Sequence, residues 1–270
     1  MVKSRRYLLY SRYIPATRGL DLRILFVGES AEFYQAIIKG YDLMFMARRE
    51  DKSRYVATAL RRCGFEVEVM PTERVPVEFP EDSESLDRYD VIIVSDVGSN
   101  SFLLHPEVVL RSTPRPNRLK LIREYVRRGG GFAMIGGYMS FQGLQGRANY
   151  RGTPIEEILP VSMMVFDDRV EVPEGFRPLV VKPRHQILKG IPRNWPTLLG
   201  YNKTTLKEGA DLLLSYNGDP ILAVWDYGKG RTMAFTTDCA PHWATREFLE
   251  WEYYPIFWKQ AVEWLAGRLG

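Results

Sequence analysis

Three stretches of this chain each carry an unbroken apolar run near the length of a β-strand that leads to a glycine: LRILFVGES (22–30), YDVIIVSDVG (89–98) and GFAMIGG (131–137). Without polar alternation, strands of this kind have no solvent face and must be covered on both sides. The segments between them supply the covers. RYVATALRRCG reads as a helix stopping at Gly64, where a helix C-terminus prefers glycine, and FEVEVM then alternates as a strand does. NRLKLIREYVRRGG reads as an amphipathic helix closed by glycines. Ala31 to Met46 carries Phe33, Ile37 and Ile38 at helical spacing and is read as a further helix.

Strands alternating with helices predict a mainly parallel sheet with helices on both faces and right-handed crossovers, an α/β fold of flavodoxin-like or Rossmann-like type. After Gly143 the pattern changes to short apolar runs broken by prolines and glycines: VSMMVF, PLVVKP, DLLLSY, PILAVWDY and GRTMAFTTD. The last two flank Gly228 and Gly230 as a hairpin, so one sheet edge is expected to be finished antiparallel. The chain closes with a helical segment interrupted near Pro255. No repeat or linker divides it, and the expected organisation is a basic arm over residues 1–20 followed by a single α/β domain over 21–270.

At 270 residues and 45% hydrophobic, the chain can bury one substantial core. No apolar run approaches the roughly 20 residues of a membrane span, and the N-terminus lacks the h-region of a signal peptide, so a cytoplasmic protein without membrane partners is expected. Cys63 and Cys239 are too few for a disulfide framework or a cysteine zinc site, which fits a reducing compartment. The net charge of +4 is mild for this size, and nucleic acid is not an expected partner. The acid-free arm, with Tyr7, Tyr10 and Tyr13 among its arginines, suits packing across a neighbouring subunit, and a homo-oligomer is expected.

In an open α/β sheet, ligands bind beyond the carboxyl ends of the strands. Those positions are polar here. They hold Glu29 and Ser30; Ser95, Asp96, Ser99 and Asn100; Gly136, Gly137, Tyr138, Ser140 and Gln142; and Asp238, Cys239, His242 and Trp243. FDDRVEVPEG adds Asp167, Asp168, Arg169 and Glu171, either a ligand clamp with Arg169 as a two-pronged donor or an ion-pair network fixing a loop. His105 and His185 stand at helix starts and read as capping residues. His242, with Asp238 four residues earlier, is the pocket histidine and candidate general base. Trp243, Trp251 and Tyr254 are either aromatic walls of that pocket or core. The histidines and carboxylates show no metal-ligand spacing, and neither a metal nor a cofactor is expected.

Beyond these patterns, RILFVGES, IKGYD, YDVIIVSDVGSN, GGGFAMIGGYMSFQG, LPVSMMVFDDRVEVPEG, WPTLLGYN and DCAPHWATREFLEWEYY together resemble the putative glutamine amidotransferase family of the class I glutamine amidotransferase-like superfamily. The resemblance covers nearly the whole chain from about residue 21 and implies a flavodoxin-like three-layer sandwich. Working class I amidotransferases carry a nucleophilic cysteine on the turn after a strand, within Gly-x-Cys-x-Gly, completed by a histidine and a glutamate. In this chain GGYMS puts Tyr138 at the cysteine's place and Ser140 at the second glycine, and Ala244 stands where the His-x-Glu companion would follow His242. A phenol near pKa 10 is about one part in a thousand ionised at neutral pH, against a few per cent for a thiol.

The expectation is therefore an amidotransferase-like protein without glutaminase chemistry that binds a small polar ligand at the strand ends. Ser140 activated by His242 is an alternative nucleophile, while Cys239 reads as a small buried hydrophobe rather than a relocated thiol. Two other functions stay open. One is a hydrolase or lyase on a carbohydrate-related metabolite, using His242 with Asp96 or Asp238, and the other is a non-enzymatic assembly protein.

Overall fold

The uninterrupted apolar runs become the middle of a sheet. In the computed structural model, which describes residues 22–269, the strands in chain order are β1 (Arg23–Gly28), β2 (Ser30–Lys39), β3 (Asp42–Asp51), β4 (Glu66–Met70), β5 (Val91–Ser95) and β6 (Gly131–Ile135). After Gly143 come β7 (Val161–Met163), β8 (Arg169–Phe176), β9 (Leu179–Val180), β10 (Leu198–Asn202), β11 (Thr204–Leu206), β12 (Asp211–Tyr216), β13 (Asp219–Tyr227) and β14 (Gly230–Phe235). The expected N-terminal arm lies outside the described residues.

The main sheet has the order β4-β1-β5-β6-β14-β13-β12-β9. β4, β1, β5, β6 and β14 run parallel, and β13, β12 and β9 finish one edge antiparallel, as the hairpin pattern predicted. The chain starts at β1, steps outward to β4, then crosses back past β1 to β5. That reversal opens a crevice between the ends of β1 and β5, the topological switch point where such sheets hold ligands.

Both faces of the central strands are covered. Ile24, Phe26, Ile93 and Ile135 pack beneath helices Arg54–Arg62 and Tyr254–Leu265, through Val56, Leu60, Phe257 and Trp258. Leu25, Val27, Ile92, Val94 and Met134 pack beneath helix Arg118–Arg128, through Leu119, Ile122 and Val126. The helix ends follow local chemistry. The Asn117 side chain accepts from the Lys120 N–H, Gly64 and Gly129 take φ of +93° and +133° past helix C-termini, and Pro255 sits in the first turn of its helix, where its missing N–H costs nothing. The expected interruption falls between helices Arg246–Leu249 and Tyr254–Leu265. Two small antiparallel pairs, β8 with β10 and β7 with β11, lie outside the main sheet.

One expectation fails. The stretch read as a helix over Ala31 to Met46 is the β2–β3 hairpin, ten residue pairs joined by a two-residue turn in which Gly40 takes φ +61°. A half-buried ribbon would have shown period-two alternation. This one is apolar on both faces, which erases that signal and leaves a chance helical spacing.

Gly28 fixes the crevice. Its φ is +109°, and an added Cβ would sit 1.9 Å from the Ser95 carbonyl oxygen on the neighbouring strand. Gly28→Ala is expected to cost about 3 kcal/mol or more, since both the backbone and β5 would have to shift; urea unfolding of the two proteins measures it.

Candidate functional site

The ends of β1, β5, β6 and β14, with the root of the hairpin, enclose a cavity of about 320 Å³ lined by Glu29, Ser30, Ala31, Phe33, Glu50, Lys52, Asp96, Tyr138, Asp238 and His242. Two of its walls are held in backbone conformations that non-glycine residues seldom adopt: Glu29 at φ +56° and Asp96 at φ +53°. Each bend is secured by hydrogen bonds. The Glu29 N–H donates to the Ser95 carbonyl at 3.1 Å, and the Lys52 N–H donates to the Glu29 carbonyl at 2.7 Å. The Asp96 N–H donates to Ser140 Oγ at 3.0 Å, and the Met139 N–H donates to Asp96 Oδ1 at 2.7 Å. After β1 the chain thus bends directly into the hairpin rather than into a helix.

Carboxyl groups dominate the electrostatics. Four line the cavity against one lysine. Burial, then repulsion from Asp238 and Asp96, holds the Glu29 carboxyl well above its ordinary pKa, although Ser95 Oγ donates to Glu29 Oε1 at 2.5 Å. Burial and then Asp96 push Asp238 up to about 7, and burial raises Asp96 as well. Lys52, whose Nζ donates to the Pro241 carbonyl at 2.9 Å, partly opposes all three shifts. His242 moves the other way: its partial burial lowers its pKa, and its Nδ1 lies 3.3 Å from Asp238 Oδ2. Burial and mutual repulsion thus favour the protonated form of Glu29, Asp96 and Asp238, and burial favours the neutral form of the His242 imidazole beside them, the pairing that acid–base chemistry uses.

Tyr138 is fixed on three sides. Its hydroxyl donates to Glu171 Oε1 at 2.9 Å, the Arg169 guanidinium lies 4.9 Å from its ring centroid, and the His242 ring meets it edge-on at 4.3 Å. The same Glu171 accepts from Trp243 Nε1 at 2.9 Å, and Trp243 stacks on His242 at 4.8 Å. Burial and the Glu171 carboxylate raise the Tyr138 pKa, which keeps the phenol protonated and unreactive as a nucleophile. Arg169 is occupied by Asp167, donating from Nε at 2.9 Å and Nη2 at 2.7 Å, so this pair serves the loop and the tyrosine face rather than the cavity.

The other expected residues surround the cavity without lining it. Ser95 and Ser140 are buried and bonded as above, and Asn100 is exposed in helix Ser99–Leu103. Asp168 is buried, accepting from the Gln142 and Gly143 N–H groups at 2.8 and 2.9 Å; its carboxyl, raised to about 6 by burial, anchors the loop beyond β6. Gln142 is buried in that loop. Gly137 lies against Asp96, where a Cβ would fall 2.7 Å from Oδ1. Trp251 packs on Trp195 and the Tyr254 hydroxyl donates to the Cys239 carbonyl at 2.7 Å, so both belong to the core side. His105 and His185 cap helix Pro106–Arg111 and the turn Gln186–Leu188 through Nδ1.

Sequence reading missed two residues that matter. Lys52 was hidden by the misread hairpin. Asn202, fully buried at the end of β10, accepts from the Gly137 N–H at 3.0 Å and donates from Nδ2 to the Gly137 carbonyl at 3.1 Å and to Asp168 Oδ1 at 2.8 Å. It clamps both polar groups of the turn that carries Tyr138. Only its place in WPTLLGYN could have drawn attention to it.

Among the described residues, Glu29, Asp238 and Cys239 form one group whose ligand atoms lie within 4.8 Å of one another. All three are buried, and the Cys239 thiol is held well above its ordinary pKa by burial and then by Glu29. A divalent ion entering there would have to displace protons from the thiol and both carboxyl groups.

The family described as putative glutamine amidotransferase matches residues 23–267. Among solved structures, the cytoplasmic protein STM3548 of Salmonella typhimurium is 41% identical, with 90% of this chain and 99% of that chain covered and a TM-score of 0.87. The cytoplasmic protein STM1381 of Salmonella typhimurium LT2 is 40% identical over the same shares, with a TM-score of 0.86. A putative ThuA-like protein of Bacteroides uniformis shares the fold at 12% identity and a TM-score of 0.54, over 93% of this chain and 94% of that one. No curated protein matches the sequence.

Two measurements probe the site. Asn202→Ala strands the buried Gly137 N–H and is expected to cost about 2–4 kcal/mol in urea unfolding. Asp238 binds its proton more tightly folded than unfolded, so its contribution to stability is complete below about pH 4 and lost as the pH rises toward 7. Asp238→Asn removes that penalty. Its melting temperature is expected to gain on the wild type progressively between about pH 4.5 and 7.5, and a gap that stays constant or narrows would contradict the burial of an ionisable carboxyl there.

Proposed function

We propose, for a chain that belongs to the putative glutamine amidotransferase family, that the cavity at the switch point binds a small polar ligand and that the protein lacks cysteine-dependent glutaminase chemistry. The observation that carries this reading is the state of Tyr138. The residue at the nucleophile's place is a protonated phenol locked by Glu171, Arg169 and His242. Neither cysteine substitutes for it. Cys239 is 1% exposed, with a raised thiol pKa, and Cys63 lies on the far side of helix Arg54–Arg62, its Sγ 3.8 Å from the Pro255 carbonyl. We read the architecture as the flavodoxin-like three-layer sandwich of class I amidotransferases with its elbow retained and its reactive atom replaced, and we place the protein in the cytoplasm.

The ligand is of monosaccharide size and rich in hydroxyl groups. A volume of about 320 Å³ stands at the small end of ligand pockets. Protonated carboxyls can donate to hydroxyls and carboxylates can accept from them, while Tyr138 and Phe33 offer aromatic faces. A second reading is favoured by one contact, the 3.3 Å approach of His242 Nδ1 to Asp238: hydrolase or lyase chemistry on such a ligand, with His242 as base and a carboxyl as acid.

Purified full-length protein incubated with glutamine is expected to release no ammonia above buffer, in a coupled assay; release would overturn the loss of glutaminase chemistry. Thermal-shift screening of neutral sugars, sugar acids and amino sugars, followed by calorimetry, addresses the cavity. Glu29→Gln and His242→Ala are expected to weaken binding of a hit about tenfold or more, or about 1.4 kcal/mol. A hit whose affinity neither change alters binds elsewhere and overturns the assignment. If His242→Ala lowers kcat far more than it weakens binding, the acid–base reading holds.

A further inference from the structure

Among the described residues the β2–β3 hairpin has no partner to match its composition. Every residue from 31 to 49 is exposed apart from Ile37, which is half-buried. Its register puts Tyr34, Ile38, Leu43 and Phe45 on one face and Phe33, Met44 and Met46 on the other. Tyr34, Ile38 and Phe45 are each about three-quarters exposed, at 75%, 74% and 74%. Its side-chain bonds to the body lie at the root, where Ser30 Oγ and Arg49 Nε both donate to Glu73, at 2.9 and 2.7 Å. A two-stranded ribbon standing alone is marginal in water, and one whose faces are both apolar is worse than marginal.

We propose that this hairpin is a dimerisation arm, and that the face bearing Tyr34, Ile38, Leu43 and Phe45 packs on the same face of a second copy of the chain. Three features select a second copy. The first is area. With Tyr41 at the tip the ribbon exposes eight large apolar side chains; at roughly 100 Å² each they present about 800 Å², more than a monomer ordinarily exposes, and the four on the proposed face supply about half of that as the apolar centre of an interface. The second is charge. Residues 30–51 hold three basic and four acidic side chains of interspersed sign, which neither repel a copy nor form the basic face that an anionic membrane or a nucleic acid would attract.

The third is edge geometry. Among the described residues β2 and β3 pair only with each other, so no third strand of the same chain stands beside the ribbon to keep a two-fold copy from stacking on its face. The arm also reaches the cavity. Ala31, Phe33 and Glu50 lie on the opposite face of the ribbon and line the pocket at its root, with Lys52 just beyond it, so pairing of the arms fixes one cavity wall.

Sedimentation velocity on the full chain tests this. At about 10 µM the wild type is expected as a dimer or an even multiple of one, and Ile38→Asp combined with Phe45→Asp as a monomer, with the dimer dissociation constant raised at least about a hundredfold. Because these side chains are exposed in the single chain, far-UV circular dichroism and the melting of the body should be nearly unchanged. Phe45→Lys alone provides the same reading where the double variant does not fold. A wild type that stays monomeric up to about 100 µM, or association that survives the folded variants, overturns the proposal.

Discussion

A strand buried on both faces has no side chain free for chemistry along its length, so whatever β1, β5 and β6 do must be done where they end. That constraint organises the molecule. The parallel register brings the carboxyl ends of five strands to one edge, and the crossing from β4 back to β5 parts two of them. Covering the sheet on both sides leaves the edge as the place where polar groups collect. Three carboxyl groups and an imidazole collect there, and their mutual repulsion and desolvation set the protonation of the cavity.

The turn after β6 shows how position is secured when the reactive atom is absent. Asn202 binds both polar groups of Gly137, Asp168 binds the next two loop amides, and Glu171 holds the Tyr138 hydroxyl. Hydrogen bonds of this number would be expected around a nucleophile that needs accurate aim. Here they aim an aromatic ring and a phenol at a cavity, which supports recognition as the turn's task.

What could be read in the sequence and what could not divide along the range of the interactions. The strands, their order along the chain and the polar residues after them are local patterns, and Glu29, Asp96, Tyr138, Asp238 and His242 were all legible as strand-end residues that meet at one cavity. Asn202 was not, because nothing within ten residues of it signals that its amide faces a glycine 65 positions away. The hairpin was misread for a different reason. Periodicity reports the difference between an inside and an outside, and a ribbon apolar on both faces presents none. Asp168 and Arg169 looked like a ligand clamp because dense charge carries no sign of whether it is already satisfied; the loop amides, Asn202 and Asp167 satisfy it.

The crowding of acids at the strand ends has a consequence for what the cavity exchanges with solvent. Carboxyl groups whose affinity for protons is raised by burial and by one another make the site a small store of hydrogen ions beside Lys52. A neutral guest would leave that store intact. A guest bearing a fixed positive charge would favour the ionised carboxylates and draw on it, so the acidity of the surroundings becomes a reactant in its capture.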